Sequence, residues 1–189
     1  IIPSWEKTGE DPNKIFIYPG MGFGTGNHET TFLCLKLMLD EIKDINNIRS
    51  CLDFGCGSGI LGVGFAQKFK MAKVVDYLDI DQEALDNCQV NLDLNPKAKA
   101  CARYLVLPPE ADKLEGTYDL VFANILLDAL IAEGERIVEK TGKYLIVSGL
   151  LSGQEKEVQS AYEKLRPDLK FVTAYKKNDW VAALFEVIR

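Results

Sequence analysis

Residues 51–69 constrain the fold of this chain more than any other stretch. The run Cys51-Leu52-Asp53-Phe54 is too short for a helix and is closed by Gly55-Cys56-Gly57-Ser58-Gly59. Ile60 to Phe69 follows at once with helical character, despite Gly62 and Gly64. This is strand, tight turn, helix, and the unit recurs. Apolar patterning predicts a helix over 29–42 before it, then a strand over 73–79, a helix over 82–94 and a strand over 101–106. After Pro108-Pro109 come a strand over 118–123, a helix over 127–139, a strand over 144–147 and a helix over 154–165. Such alternation predicts an α/β fold, a doubly wound and mostly parallel sheet with helices on both faces. The end differs: 171–175 and 180–188 read as two strands joined by Lys176-Lys177-Asn178-Asp179, an antiparallel hairpin that closes the sheet.

With 189 residues, 47% of them hydrophobic, the chain has the size of one globular domain. Residues 1–28 read as a lead-in segment ending in a glycine-dense loop, and 29–189 as the Rossmann-like core. The sequence opens Ile1-Ile2-Pro3-Ser4-Trp5, which reads neither as a signal peptide nor as a natural start, so an upstream segment is expected. A net charge of -6 leaves no cationic excess to displace counterions from a phosphate backbone, so no direct nucleic-acid partner is expected. The most apolar stretch, Val121 to Ala132, is interrupted by Asn124 and Asp128 and is too short for a membrane span. Five cysteines without C-x-x-C spacing fit buried thiols in a reducing cytoplasm better than disulfides or a metal site. The oligomeric state is left open.

In an open α/β sheet, ligands sit outside the carboxyl ends of the strands, where the first strand-to-helix turn gathers backbone N–H groups. Gly55, Gly57 and Gly59 occupy that turn, and their missing Cβ atoms let a ligand lie against the main chain. Gly57-x-Gly59-x-x-Gly62 also satisfies the dinucleotide fingerprint, so a nicotinamide or flavin oxidoreductase is a competing reading. The second strand ends in Asp79, placed to accept both hydroxyls of a ribose in either ligand class, or else simply a solvated strand-end carboxylate. Asp53 separates the two. An anion two residues before the first glycine repels a pyrophosphate but suits a sulfonium, which favours S-adenosylmethionine. At the fourth strand end, Asn124 interrupts an apolar run. It either accepts the N–H bonds of an incoming amine and aims its lone pair at an electrophilic methyl, or caps the following helix, or does both. His28, the single histidine, is a candidate base near neutral pH or a backbone hydrogen-bonding partner.

Pro3-Ser4-Trp5, the loop from Pro19 through Thr31, Asp53 through Leu61, Asp79-Ile80-Asp81, Ala123-Asn124-Ile125-Leu126 and Ser148-Gly149-Leu150-Leu151 together resemble the motifs of the ribosomal protein L-eleven methyltransferases. The glycine-rich loop and the Ala-Asn-Ile-Leu strand end are specific within S-adenosylmethionine enzymes, whereas the Asp-x-Gly-x-Gly-x-Gly turn is shared across that class. Adenine-amine methyltransferases would show Pro-Pro after the Asn, where this chain has Ile125-Leu126. The resemblance implies a class I methyltransferase sheet of seven strands, with S-adenosylmethionine as cofactor and no metal. It implies that Phe23, Gly24, Thr25 and Thr31 line the methionine side, that Gly55 and Gly57 contact the cofactor, and that Asp79 and Ile80 meet the adenosine, with Asp53 also among the cofactor-binding residues. Asn124 then lies beside the methyl group as the catalytic residue. The implied substrate is a basic ribosomal protein, methylated on its amines in the cytoplasm. Another protein lysine, a small molecule, or cofactor binding without catalysis are the other readings of the same site. Family members carry an N-terminal recognition domain that this sequence does not show. Tyr77 and Gln82 stand where relatives often have Gly and Pro, and the linker before Cys51 is longer.

Overall fold

Strands that are apolar on both sides must be covered on both faces, and the chain does this with two sets of helices around one sheet. The computed structural model describes residues 1–9, 14–20, 27–44 and 46–188. In chain order the elements are β1 (Ile2–Pro3), β2 (Phe16–Ile17), α1 (Glu29–Glu41), β3 (Ser50–Phe54), α2 (Ile60–Lys68) and β4 (Val74–Leu78). Then come α3 (Gln82–Leu94), α4 (Pro96–Cys101), β5 (Ala102–Val106), β6 (Tyr118–Asn124), α5 (Leu127–Ala132) and α6 (Gly134–Lys140). The remainder is β7 (Thr141–Leu151), α7 (Glu155–Leu165), β8 (Leu169–Lys177) and β9 (Trp180–Val187).

Seven strands form one sheet in the order β5-β4-β3-β6-β7-β9-β8, and β1 pairs with β2 in a separate parallel pair. The pairings from β5 through β7 are parallel, whereas β9 runs antiparallel to both of its neighbours. The doubly wound sheet with a C-terminal antiparallel hairpin is therefore as the alternation requires. Strand alternation sorts the core into two layers. Cys51, Val75, Tyr77, Phe122 and Ile146 pack with Leu33 and Leu37 of α1, Phe65 of α2 and Leu85 of α3. On the opposite face Leu52, Phe54, Val121 and Val147 pack with Leu130 of α5, Ile137 of α6 and Val158 of α7. All five cysteines are free, four of them buried. Among the described residues no helix is long and apolar enough to cross a membrane.

Three expectations need correction. The helix expected over 127–139 is broken at Glu133. There α7 intrudes: the Tyr162 hydroxyl donates to the Leu130 carbonyl at 2.9 Å. The Tyr162 ring lies so close to Gly134 that a Cβ would sit 3.0 Å from it. Cys101 ends a helix rather than starting a strand, because Pro96 is preset for the first position of a helical turn and α4 forms from it. The strand expected over 144–147 runs from Thr141 to Leu151, since β9 pairs with it past a register shift between Val147 and Leu150.

Candidate active site

β3 lies between β4 and β6, and the chain leaves β3 toward β4 and β5 before returning to β6 on the other side. The crevice at such a switch point is where open α/β sheets bind ligands. Here it is a cavity of about 790 Å³ bordered by Gly55, Gly57, Asp79, Ile80 and Asn124 together with His28, Thr30 and Trp180. That volume holds a cofactor-sized molecule with room beside it.

The turn after β3 is held from the neighbouring strand. The carbonyl of Leu78 accepts N–H bonds from both Gly55 (2.8 Å) and Cys56 (3.0 Å). Asp79, anchored through its own N–H on Val106, accepts from Gly57 N–H on Oδ2 at 2.8 Å and from Asp81 N–H on Oδ1 at 3.1 Å. Each carboxylate oxygen keeps a second lone pair, so two vicinal hydroxyls find two fixed acceptors. Asp81 caps α3 by accepting from Glu83 N–H at 2.9 Å.

Asn124 ends β6 at this wall. Its Oδ1 is buried and accepts no hydrogen bond from the described residues. Capping does not account for it: α5 begins after Leu126 and has no side-chain cap. A buried acceptor without a donor costs free energy unless a ligand supplies one. Ile125, the next residue, is wedged between two glycines. A Cβ on Gly55 would lie 2.3 Å from its Cγ2, and one on Gly149 would lie 2.2 Å from its carbonyl oxygen. Ser148-Gly149 therefore makes room for the Asn124 segment, and Ser148 Oγ donates to Val181 O at 2.8 Å to hold β7 on β9.

Asp53 does not border the cavity. It is 1% exposed, and its Oδ2 accepts Gly62 N–H at 2.9 Å. Burial pushes its pKa up to about 7, opposed by the Gly62 hydrogen bond and reinforced by the charge of Asp79. In the unfolded chain the group titrates near 3.9, so between about pH 4 and 7 the folded protein keeps a proton that the unfolded chain releases. The stability this provides is complete below about pH 4 and is lost as the pH rises through about 7. Asp53→Asn is expected to be more stable than wild type at pH 8, with an advantage that shrinks on acidification toward pH 4. Urea titrations at several pH values measure this, and a pH-independent difference would contradict it.

Thr31 is also fully buried, its Oγ1 without a hydrogen-bond partner among the described residues, and Thr30 borders the cavity. Phe23, Gly24 and Thr25 lie outside the described residues. His28 caps α1, its Nδ1 accepting from Thr30 N–H at 3.3 Å, so the backbone hydrogen-bonding reading holds for that nitrogen. Its ring meets Trp180 edge-on, with centroids 4.9 Å apart. Trp180 gives no signal in the sequence, because only the pairing of Leu151 with Trp180 brings it to the crevice. Glu133 and Arg136, ion-paired at 3.0 Å, border the same cavity through the α5–α6 break. Among the described residues no group of three potential metal ligands gathers here or elsewhere.

Over residues 1–187 the sequence matches the family described as ribosomal protein L11 methyltransferase (PrmA). The chain belongs to that family. A ribosomal protein L11 methyltransferase of Agathobacter rectalis is 36% identical over 192 residues, covering 96% of this chain and 58% of the relative. One from Shewanella baltica is 40% identical over 184 residues, covering 95% of this chain and 59% of the relative. The chain thus spans about three-fifths of the length of these curated relatives. The crystal structure of a ribosomal protein L11 methylase from Lactobacillus delbrueckii subsp. bulgaricus superposes with a TM-score of 0.75 at 23% identity, covering 100% of this chain and 93% of that one, a likeness of fold. Membership in the L11 methyltransferase family displaces the dinucleotide-binding oxidoreductase reading. Tyr77 fills the space over Gly62, whose Cβ would meet the Tyr77 ring at 2.4 Å.

Proposed function

We propose that residues 1–189 form one S-adenosylmethionine-dependent catalytic domain that methylates amines of a ribosomal protein, the L11 protein of its relatives' name, in the cytoplasm. The unpartnered Oδ1 of Asn124 at the cavity wall carries this reading. It is an acceptor set where an amine must present its hydrogens.

When bound, S-adenosylmethionine supplies an electrophilic methyl on a positively charged sulfur. Asp79 holds the ribose with the lone pairs that Gly57 and Asp81 leave open, and Ile80, 86% exposed at the strand tip, supplies an apolar surface beside it. Gly55 and Gly57 present bare main chain along the cavity. Asn124 would accept N–H from the neutral amine and so orient its nitrogen lone pair toward the methyl donor. The methyl group is what the cofactor would supply, and the proton the methylated amine no longer holds would leave to water. Lysine titrates near 10.4 in water, and desolvation beside a cation lowers that value, so the neutral amine forms without a dedicated base. Asp81 also borders the cavity, whereas Glu133 there is ion-paired with Arg136.

Calorimetry with S-adenosylhomocysteine and with NAD tests the cofactor, and mass spectrometry of L11 after incubation with enzyme and S-adenosylmethionine tests the substrate. Binding of S-adenosylhomocysteine alone and addition of methyl groups to L11 amines are expected. Binding of NAD alone would overturn the reading, and an unmodified L11 beside another methylated protein would move the substrate elsewhere.

A further inference from the structure

Asn87, Asn91 and Asn95 stand four residues apart on one stripe of α3 and its C-terminal cap, and all three are buried. Asparagine is a poor helix former, and its buried amide must find partners. These amides find the main chain of residues 16–20, which runs past the helix in the opposite direction. Asn95 Oδ1 accepts Phe16 N–H at 3.0 Å, while its Nδ2 donates to Phe16 O and to Asn91 O, both at 2.7 Å. Asn91 Oδ1 accepts Tyr18 N–H at 2.7 Å. Asn87 Nδ2 donates to Tyr18 O at 3.3 Å, and a Cβ on Gly20 would lie 2.4 Å from that same nitrogen. The match is metric: two residues of extended chain advance about 6.7 Å and four helical residues about 6 Å, so each second residue meets the next amide.

One rung does more than the others. Asn91 Nδ2 donates to Ser58 O at 2.9 Å, in the middle of the glycine turn that borders the cavity, while its Oδ1 holds Tyr18. Among the described residues Asn95 makes no hydrogen bond to that turn; its side-chain bonds end on Phe16 and Asn91. We infer that Asn91 is a positioning residue for the cofactor turn, joining the segment 16–20 to the Gly57-Ser58-Gly59 main chain through a single side-chain amide. It holds the Ser58–Gly59 peptide, two peptide units beyond the one that presents Gly57 N–H to Asp79 Oδ2. This rests on the reading of the cavity as an S-adenosylmethionine site.

The test compares Asn91→Asp with Asn95→Asp, which lose equivalent buried donors on the same stripe, and repeats the comparison with the milder Asn91→Ser and Asn95→Ser. Both pairs should lower the thermal midpoint to similar extents. Only the Asn91 variants should weaken S-adenosylhomocysteine binding, by about tenfold, the effect of one lost hydrogen bond. The Asn95 variants should stay within about twofold of wild type. Without ligand, amide exchange at residues 57–59 should speed up in the Asn91 variants alone. Equal affinity changes in the two pairs, or unchanged affinity and exchange in the Asn91 variants, would show a purely structural role and overturn the inference. A wild-type protein that does not take S-adenosylhomocysteine would instead remove the cofactor reading beneath it.

Discussion

Asn124→Ala is expected to yield a folded protein that takes up S-adenosylhomocysteine normally yet transfers methyl groups about 10²–10³-fold more slowly, the loss found when one preorganised polar contact to a reacting group is deleted. The separation of folding from turnover follows from the geometry. Oδ1 has no hydrogen-bond partner among the described residues, so its removal breaks no hydrogen bond there and takes away a buried unpaired acceptor, and the unliganded variant should be no less stable than wild type. The ribose acceptors on Asp79 belong to another strand and are untouched. What disappears is the acceptor that turns the amine lone pair toward the methyl carbon, and misalignment enters the rate without entering cofactor affinity. Single-turnover kinetics alongside calorimetry separates the two quantities. Full turnover in this variant would remove Asn124 from the mechanism.

The largest expected loss of stability is at Gly149. Its φ of +84° lies in the left-handed region, and a Cβ there would sit 2.2 Å from the carbonyl oxygen of Ile125, main chain that cannot rotate away. Gly149→Ala should therefore cost about 3 kcal/mol, the sum of backbone strain and a forced shift of the packed segment. Gly153 provides the control. Its φ is +98°, but nothing lies within 4 Å of the position its Cβ would take. Gly153→Ala should cost only the conformational part, about 1 kcal/mol. Because Ile125 follows Asn124, the folded fraction of Gly149→Ala should also lose activity, whereas Gly153→Ala should keep it. Denaturant titration gives the first comparison and specific activity the second. Equal costs at the two glycines would mean that the contact with Ile125 does not constrain the chain.

The legible parts of this protein are those with a local cause. The turn from Gly55 to Gly59 follows from glycine spacing after a run too short for a helix, and Asp79 from its place at the end of the next strand. Asn124 stands out because an amide interrupts an apolar strand. Other features have no local cause. The break at Glu133 depends on a tyrosine 29 residues further on, whose ring and hydroxyl come from α7. The asparagine stripe is visible in the sequence as a four-residue spacing, but only the return of residues 16–20 along α3 shows what it binds. A search for buried-type positions filled by asparagine at helical spacing would have flagged it. Asp53 was legible as a carboxylate before a glycine turn but not as one turned inward, because the side a strand residue faces depends on which helices cover it.

Alternating patterns, glycine spacing and the polar ends of strands, properties of neighbours along the chain, were sufficient to determine a doubly wound sheet, its nucleotide-type turn and the residues at the tips of β4 and β6. Tertiary structure alone decided which of those residues border the cavity. It turned Asp53 beneath the turn, set Trp180 and His28 against each other, and left Asn124 Oδ1 without a donor. The physical reason is range: backbone propensity and side-chain alternation act over a few residues, whereas burial and hydrogen-bond satisfaction are properties of groups brought together from distant parts of the chain.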